Sequence, residues 1–187
     1  MNTRLVPLLM LAAVAAVVPL SAQQVVRGPY LQLGTPDSIV IRWRTDVPTD
    51  SCVRFGTTAG KLDKEVKTKW KTTEHIVHLG KLTPSTRYHY AIGNAEKVLA
   101  GDAGMHFLTS PKPGTRQPIR TWVVGDAGTA GSKGYEGLQA KVRDAYHAYT
   151  GSRHTDVFLQ LGDNAYNTGT DAEHQVAVFE VYRDMPK

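Results

Sequence analysis

Thr121-Trp122-Val123-Val124-Gly125-Asp126-Ala127-Gly128 and Val157-Phe158-Leu159-Gln160-Leu161-Gly162-Asp163-Asn164-Ala165-Tyr166 decide how the second half of this chain folds. Each is an apolar strand followed at once by a Gly-Asp turn. Such a turn aims a carboxylate off the strand's carboxyl end, where open α/β sheets hold their ligands. From Asp126 to Asp163 is the length of one βαβ unit. A right-handed crossover makes the two strands parallel and brings both carboxylates to one sheet edge. Ile119 to Val124 is the first strand and Asp156 to Leu161 the second. Between them lie a Gly-rich loop, Gly128 to Gly134, and a helix with Leu138, Val142, Ala145, Tyr146 and Tyr149 on one face, stopped by Gly151. Thr170-Asp171-Ala172-Glu173 is a capping box that opens a last helix, with Phe179, Tyr182 and Met185 on its apolar side. A strand-end Asp can cap a helix, bind a ribose or bind a metal. A pyrophosphate approaching the Gly-rich turn would be repelled by Asp126, which disfavours a dinucleotide. Two strand-end carboxylates with a tyrosine three residues after the second favour a hard metal ion.

Upstream the period changes. From Arg27 to Thr109 short β segments are punctuated by Gly, Pro, Asp and Thr: Asp37 to Arg44, Ser51 to Phe55, Glu74 to Leu79, Arg87 to Ile92 and Met105 to Leu108. Strands so spaced predict a β-sandwich. Leu82-Thr83-Pro84-Ser85-Thr86-Arg87-Tyr88-His89-Tyr90 resembles the tyrosine-corner strand of fibronectin type III domains, with Trp43 as a core indole. Gly101 to Gly104 repeats Gly-Asp-Ala-Gly but precedes a strand, so Asp102 reads as a turn residue. The predicted organisation is a sandwich over 23–112, a stiff Pro-rich linker at 113–118, and an α/β segment over 119–187.

The first 22 residues read as a secretory signal: Arg4, an apolar run from Leu5 to Val18, then Leu20-Ser21-Ala22 at the cut. The expected location is secreted or periplasmic, with no membrane association after cleavage. The apolar run is shorter than the ~20 residues a span needs. With one cysteine, Cys52, no internal disulfide can form. Cys52 alternates with Val53 and Phe55 and reads as a buried thiol. The net charge of +5 is concentrated before residue 118, notably in Lys61, Lys64, Lys67, Lys69 and Lys71. Acids interrupt that run and only Trp70 offers a ring, so it reads as a solvated strand face and nucleic acid is not expected. His75 and His78 fall on opposite strand faces, and the other histidines are scattered.

Asp126-x-Gly128 followed by Gly162-Asp163-x-x-Tyr166 resembles the first two signature blocks of the purple acid phosphatases, within the calcineurin-like metallophosphoesterases. Many of these enzymes carry a fibronectin-like domain before the catalytic one. Pro29-Tyr30-Leu31-Gln32 and the Tyr88 strand look like that domain, so the resemblance spans nearly all of residues 23–187. It implies a dinuclear centre of ferric iron plus a divalent ion (Fe, Zn or Mn). Asp126 and Tyr166 would bind the ferric ion and Asp163 would bridge both metals. Asn164 would serve as a neighbouring or turn residue. Most relatives have His at the third position of the first block, where Gly128 stands here. A phenolate is a hard anionic donor suited to ferric iron.

Three later blocks of that family, Gly-Asn-His, Val-x-x-His and Gly-His-x-His, do not occur; Gly93-Asn94 is followed by Ala95. The expectation is therefore the N-terminal part of an acid phosphatase acting on small phosphate monoesters, truncated in its metallophosphoesterase domain and inactive alone. No catalytic residue beyond the metal ligands is assigned. The alternatives are a phosphodiesterase or nucleotidase of the same superfamily, or an exported non-catalytic sandwich module.

Overall fold

The structure is a computed structural model that describes residues 23–102, 104–130, 133–134 and 137–185. The expected signal segment, 1–22, lies outside the described residues. Six strands make the N-terminal part: β1 (Val25–Gln32), β2 (Ile39–Gly56), β3 (Lys64–Leu79), β4 (Arg87–Gly93), β5 (Val98–Ala100) and β6 (His106–Leu108). It is a fibronectin type III-like β-sandwich, and the long hairpin β2–β3 serves both of its leaves. Ile39 to Arg44 pairs with Leu79 to Glu74 on one side and with β1 on the other. Ser51 to Phe55 pairs with Thr68 to Lys64, and Cys52 to Gly56 with β4. Register shifts between Arg44, Thr49 and Ser51 mark the bend from one leaf to the other. Two separate strands, Asp37 to Arg44 and Ser51 to Phe55, were expected here because Asp, Pro and Thr residues punctuate the sequence between them. Those residues form a bulged bend inside one continuous strand instead.

The core holds Ile41, Trp43, Val53, Tyr88, Tyr90, Ile92 and Phe107, all nearly solvent-free. Burying each such side chain is worth about 1.5–3 kcal/mol. The Tyr88 hydroxyl accepts from the Thr83 amide at 3.0 Å, which is the expected corner. Cys52 is free and buried, and burial pushes its thiol pKa up. Asp102 Oδ1 accepts from the amides of Gly104 and Met105, so it is a turn residue. Lys64, Lys67, Lys69, Trp70 and Lys71 are exposed on β3, which among the described residues pairs only with β2. Lysines on such an edge discourage edge-to-edge association.

The C-terminal region is smaller: β7 (Thr121–Val124), α1 (Leu138–Thr150), β8 (Val157–Gln160), α2 (Asp171–His174) and a π-helical stretch, Gln175–Glu180. β7 and β8 are parallel, in register from Thr121↔Val157 to Val124↔Gln160. Trp122 stacks on Tyr146 of α1 at 4.0 Å and touches Phe158 and Tyr182. Both strands read as apolar in the sequence, yet Val123, Val157 and Leu159 are exposed on the face opposite Trp122.

The face assigned to α1 is also corrected. Of the five residues read as its apolar side, only Tyr146 packs inward, while Leu138, Val142, Ala145 and Tyr149 are exposed. The packed stripe is polar. Gln139 donates to Ala177 O at 2.7 Å and accepts from the Ala130 amide at 3.0 Å, and Arg143 donates to Val181 O at 2.6 Å. The bonds to Ala177 O and Val181 O satisfy carbonyls within and just after the π-helical stretch, which an apolar side chain could not do. Periodicity reports hydrophobicity and is blind to such bonds. Among the described residues no helix is long and apolar enough to cross a membrane.

Candidate metal centre

Asp126 and Asp163 follow the carboxyl ends of β7 and β8. Two backbone bonds carry the pairing past the strands: Leu161 N to Val124 O at 2.9 Å and Asp126 N to Gly162 O at 3.1 Å. The two Gly-Asp turns are thereby laced side by side. Both aspartates sit in the left-handed region, with φ of 58° and 53°. This region is uncommon for residues other than glycine, and aspartate tolerates it better than most.

Tyr166 closes the group. Its amide donates to Gly128 O at 3.1 Å, which folds the loop after Asp163 back over the first turn. Its hydroxyl meets Asp126 Oδ1, and Asp163 Oδ2 at 2.5 Å. The three residues marked by the sequence are brought together. Hydrogen bonding to Asp126, then to Asp163, holds the phenol well above its ordinary pKa.

One phenolic proton can serve only one of the two carboxylates. The other contact sets oxygen against oxygen. Among the described residues, neither aspartate forms an ion pair with Lys, Arg or His. The result is a convergent, uncompensated set of hard oxygen donors, the chemistry that suits a hard, highly charged cation. Among the described residues no group of three or more His, Cys, Asp or Glu is placed to hold a metal. The set among the described residues is two carboxylates and a phenol.

Gly128 explains the close approach of the two loops. A Cβ there would lie 2.4 Å from Ala165 N and 2.6 Å from both Asn164 C and Asp163 O. The Tyr166 loop occupies the space of any side chain at 128. Among the described residues, Asn164 Oδ1 beside this group is buried without a hydrogen-bond partner. His75 and His78 are divided between the buried and exposed faces of β3.

The exit of the loop is held by residues that the sequence pointed to only in part. The Glu173 carboxylate accepts from the amides and hydroxyls of Thr168 and Thr170, at 2.8–3.2 Å. Bonds from Thr170 and then Thr168 hold its pKa down at about 2. Asp171 takes two guanidinium groups from the sandwich, Arg27 and Arg44. Nothing in the sequence signalled that contact.

Residues 26–109 match the family described as purple acid phosphatase, N-terminal domain. The match spans nearly all of the sandwich, from β1 to the residue after β6. Acid phosphatase type 7 of Homo sapiens is 29% identical over 150 residues, covering 74% of this chain and 32% of that protein. The chain therefore spans about a third of the length of that relative. A solved structure of PhoD superposes with a TM-score of 0.51 at 14% identity, over 76% of this chain and 28% of that one. The fibronectin type III domain of human contactin 1 superposes with a TM-score of 0.35 at 15% identity, over 58% of this chain and 99% of that one.

Proposed function

We propose that this chain supplies the first ligands of a dinuclear metal centre that hydrolyses small phosphate monoesters, in an exported acid phosphatase. Asp126 and Tyr166 would hold a ferric ion, and Asp163 would bridge it to a divalent ion (Fe, Zn or Mn). The observation that carries the reading is the convergence of these three oxygens at the carboxyl ends of two parallel strands, behind a sandwich that matches the purple acid phosphatase N-terminal domain. Such a pair of ions supplies Lewis acidity toward a phosphoryl oxygen and lowers the pKa of a water. The chain's own part is to place hard donors, keep them close against their mutual repulsion, and give up the Tyr166 proton when the cation enters. The left-handed aspartates and Gly128 hold the donors in place before any ion arrives. Residues 119–187 would then be the opening of a metallophosphoesterase domain, with the product secreted or periplasmic.

The test uses the 187-residue chain with ferric iron alone. Saturable binding with a visible phenolate-to-iron absorption band is expected. Tyr166→Phe should remove the band and Asp163→Asn the retention of iron. Binding that neither substitution changes would overturn the assignment and leave the sandwich as a non-catalytic module.

A further inference from the structure

Arg27 and Arg44 face each other across the β1–β2 pairing. Like charges directly opposite on neighbouring strands repel. One carboxylate from the C-terminal region resolves this. Asp171 Oδ1 takes Arg27 Nη1 at 2.9 Å and Arg44 Nη2 at 3.1 Å; Oδ2 takes Arg44 Nη1 at 2.7 Å and Arg27 Nη2 at 3.1 Å. The two guanidinium groups hold Asp171 as a doubly bidentate clamp, the strongest form of this contact. Together they hold the Asp171 carboxyl far below its usual pKa.

Arg27 is also fixed on its other sides. Its Nε donates to Gln175 Oε1 at 2.6 Å, its Nη2 to Asp171 O at 3.3 Å, and its guanidinium lies 4.3 Å over the Phe179 ring. Its side chain is only 7% exposed. Phe179 also packs on Tyr30 of β1, at 5.0 Å. The clamp is therefore a built joint between sandwich and C-terminal region rather than a loose surface pair.

The joint sits at one end of the Tyr166 loop. The other end leaves β8, which is held by its pairing with β7. Between Tyr166 and Asp171, Thr168 and Thr170 are drawn onto Glu173 by four hydrogen bonds, and Asp171 is the first residue of α2. The segment from Asp163 to Asp171 is thus strung between a strand end and a clamp on another layer.

We infer that Arg27 and Arg44 are positioning residues for the Asp163 and Tyr166 ligands, acting through Asp171, so that the β-sandwich sets the geometry of the metal centre. This rests on the metal reading above. Neither arginine touches the oxygen cluster. Their effect passes along the backbone from Asp171 to Tyr166. Outer partners that orient metal ligands commonly change affinity about 10–100-fold when removed.

The test uses the whole chain, ferric iron as the probe, and four variants: Asp171→Asn, Arg44→Gln, Arg44→Lys and Arg42→Gln. Arg42 lies on the same strand and bonds Gln32 at 3.2 Å instead of Asp171, so it controls for loss of charge. Asp171→Asn and Arg44→Gln should weaken ferric binding about 10-fold and shift the absorption maximum of the Tyr166-dependent band. Arg42→Gln should change neither. Arg44→Lys should restore little, since an ammonium lacks the bidentate fork.

A metal-free reading accompanies it. Tyr166 ring NMR signals, assigned through Tyr166→Phe, should move in Asp171→Asn and Arg44→Gln, while Trp43 signals stay in place. Arg44 is 27% exposed, so Arg44→Gln keeps the test open if Asp171→Asn does not fold. Wild-type binding and ring signals that both clamp variants reproduce would overturn the positioning role alone. A wild-type chain with no Tyr166-dependent band would overturn the metal reading, and the ring signals would then decide whether the clamp positions the loop.

Discussion

Gly128 and Ala165 lie backbone against backbone, with room for only a hydrogen between them: a Cβ on Gly128 would stand 2.4 Å from the Ala165 nitrogen. The obstructing atoms belong to main chain, so no rotamer change relieves the contact. Gly128→Ala should push the Tyr166 loop off the first turn and abolish ferric retention. Overpacking of this kind costs about 1–3 kcal/mol. The sandwich should be untouched, so its urea transition, followed at Trp43, should match wild type. An alanine variant that binds iron normally would show that the loops part without cost.

Asp126 should carry opposite signs for stability and for binding. In the metal-free chain it crowds the Tyr166 oxygen beside Asp163. Asp126→Asn should leave the melting temperature of the metal-free chain unchanged or higher, while removing iron retention. Such a trade-off is common where function demands a strained arrangement. Parallel melting curves with and without ferric iron measure both. A lowered midpoint in the metal-free variant would argue that Asp126 is a structural residue.

His75 gives the sandwich a pH dependence. It is buried, stacked on Trp43 at 4.6 Å, and wedged between Thr45 Oγ1 at 2.9 Å and Ser51 Oγ at 2.8 Å. The Thr45 hydroxyl donates to Val47 O at 2.8 Å, so it accepts from His75 Nε2–H, and Ser51 donates to Nδ1. In this arrangement the ring is neutral and its one ring lone pair, on Nδ1, is engaged by the Ser51 hydroxyl. Burial pushes its pKa below the ordinary histidine value, outweighing Glu74 and Asp50, which push the other way. Because the unfolded chain then binds the proton more readily, stability is full above about pH 6.5. It falls as pH drops from there toward the lowered folded value. Urea midpoints at neutral and mildly acidic pH should differ accordingly, and His75→Gln should flatten the difference.

Tyr88→Phe removes the acceptor for the Thr83 amide. It keeps the ring contacts with Phe55 and Phe107. The expected loss is about 1 kcal/mol, the net worth of one hydrogen bond. Equilibrium unfolding in urea measures it, with an unchanged slope as the sign that packing survived.

Residues 1–187 alone should hydrolyse a chromogenic phosphate ester weakly or not at all. Their candidate ligands are three oxygens, and the chain contains none of the Gly-Asn-His, Val-x-x-His or Gly-His-x-His blocks that the family resemblance calls for. Robust turnover with iron and zinc, lost in Asp163→Asn, would show that the three oxygens suffice.

Much of the fold and the candidate site could be read from local signals. Tyr88 and Trp43 lie in strands whose alternation reports a half-buried surface, and Gly-Asp-x-x-Tyr is a short motif whose partners are close in sequence. The failures share a cause. Leu138, Val142 and Tyr149 look like a buried stripe because periodicity weighs hydrophobicity alone, whereas Gln139 and Arg143 are held by backbone carbonyls that no pattern displays. Thr45 to Ser51 carries turn residues, yet pairing with β3 on both sides of the bulge keeps the strand whole. The Arg27–Asp171 contact joins residues 144 apart, and Asp171 was already accounted for by its capping box. Long-range polar pairs leave no periodic trace in a single sequence.

The passage of β2 and β3 through both leaves has a mechanical consequence. In a sandwich whose leaves meet only through loops, one leaf can slide over the other as a soft shear. Here two neighbouring strands run through the bend like a folded hinge plate, and His75 pins that fold by joining Thr45 on one side to Ser51 on the other. Shear at this end must bend hydrogen-bonded strand, so the leaves move as one body. Arg44 stands at the edge of the bend, next to Thr45. The arm that reaches Asp171 is therefore mounted beside that pinned fold, on paired strand and not on a free loop.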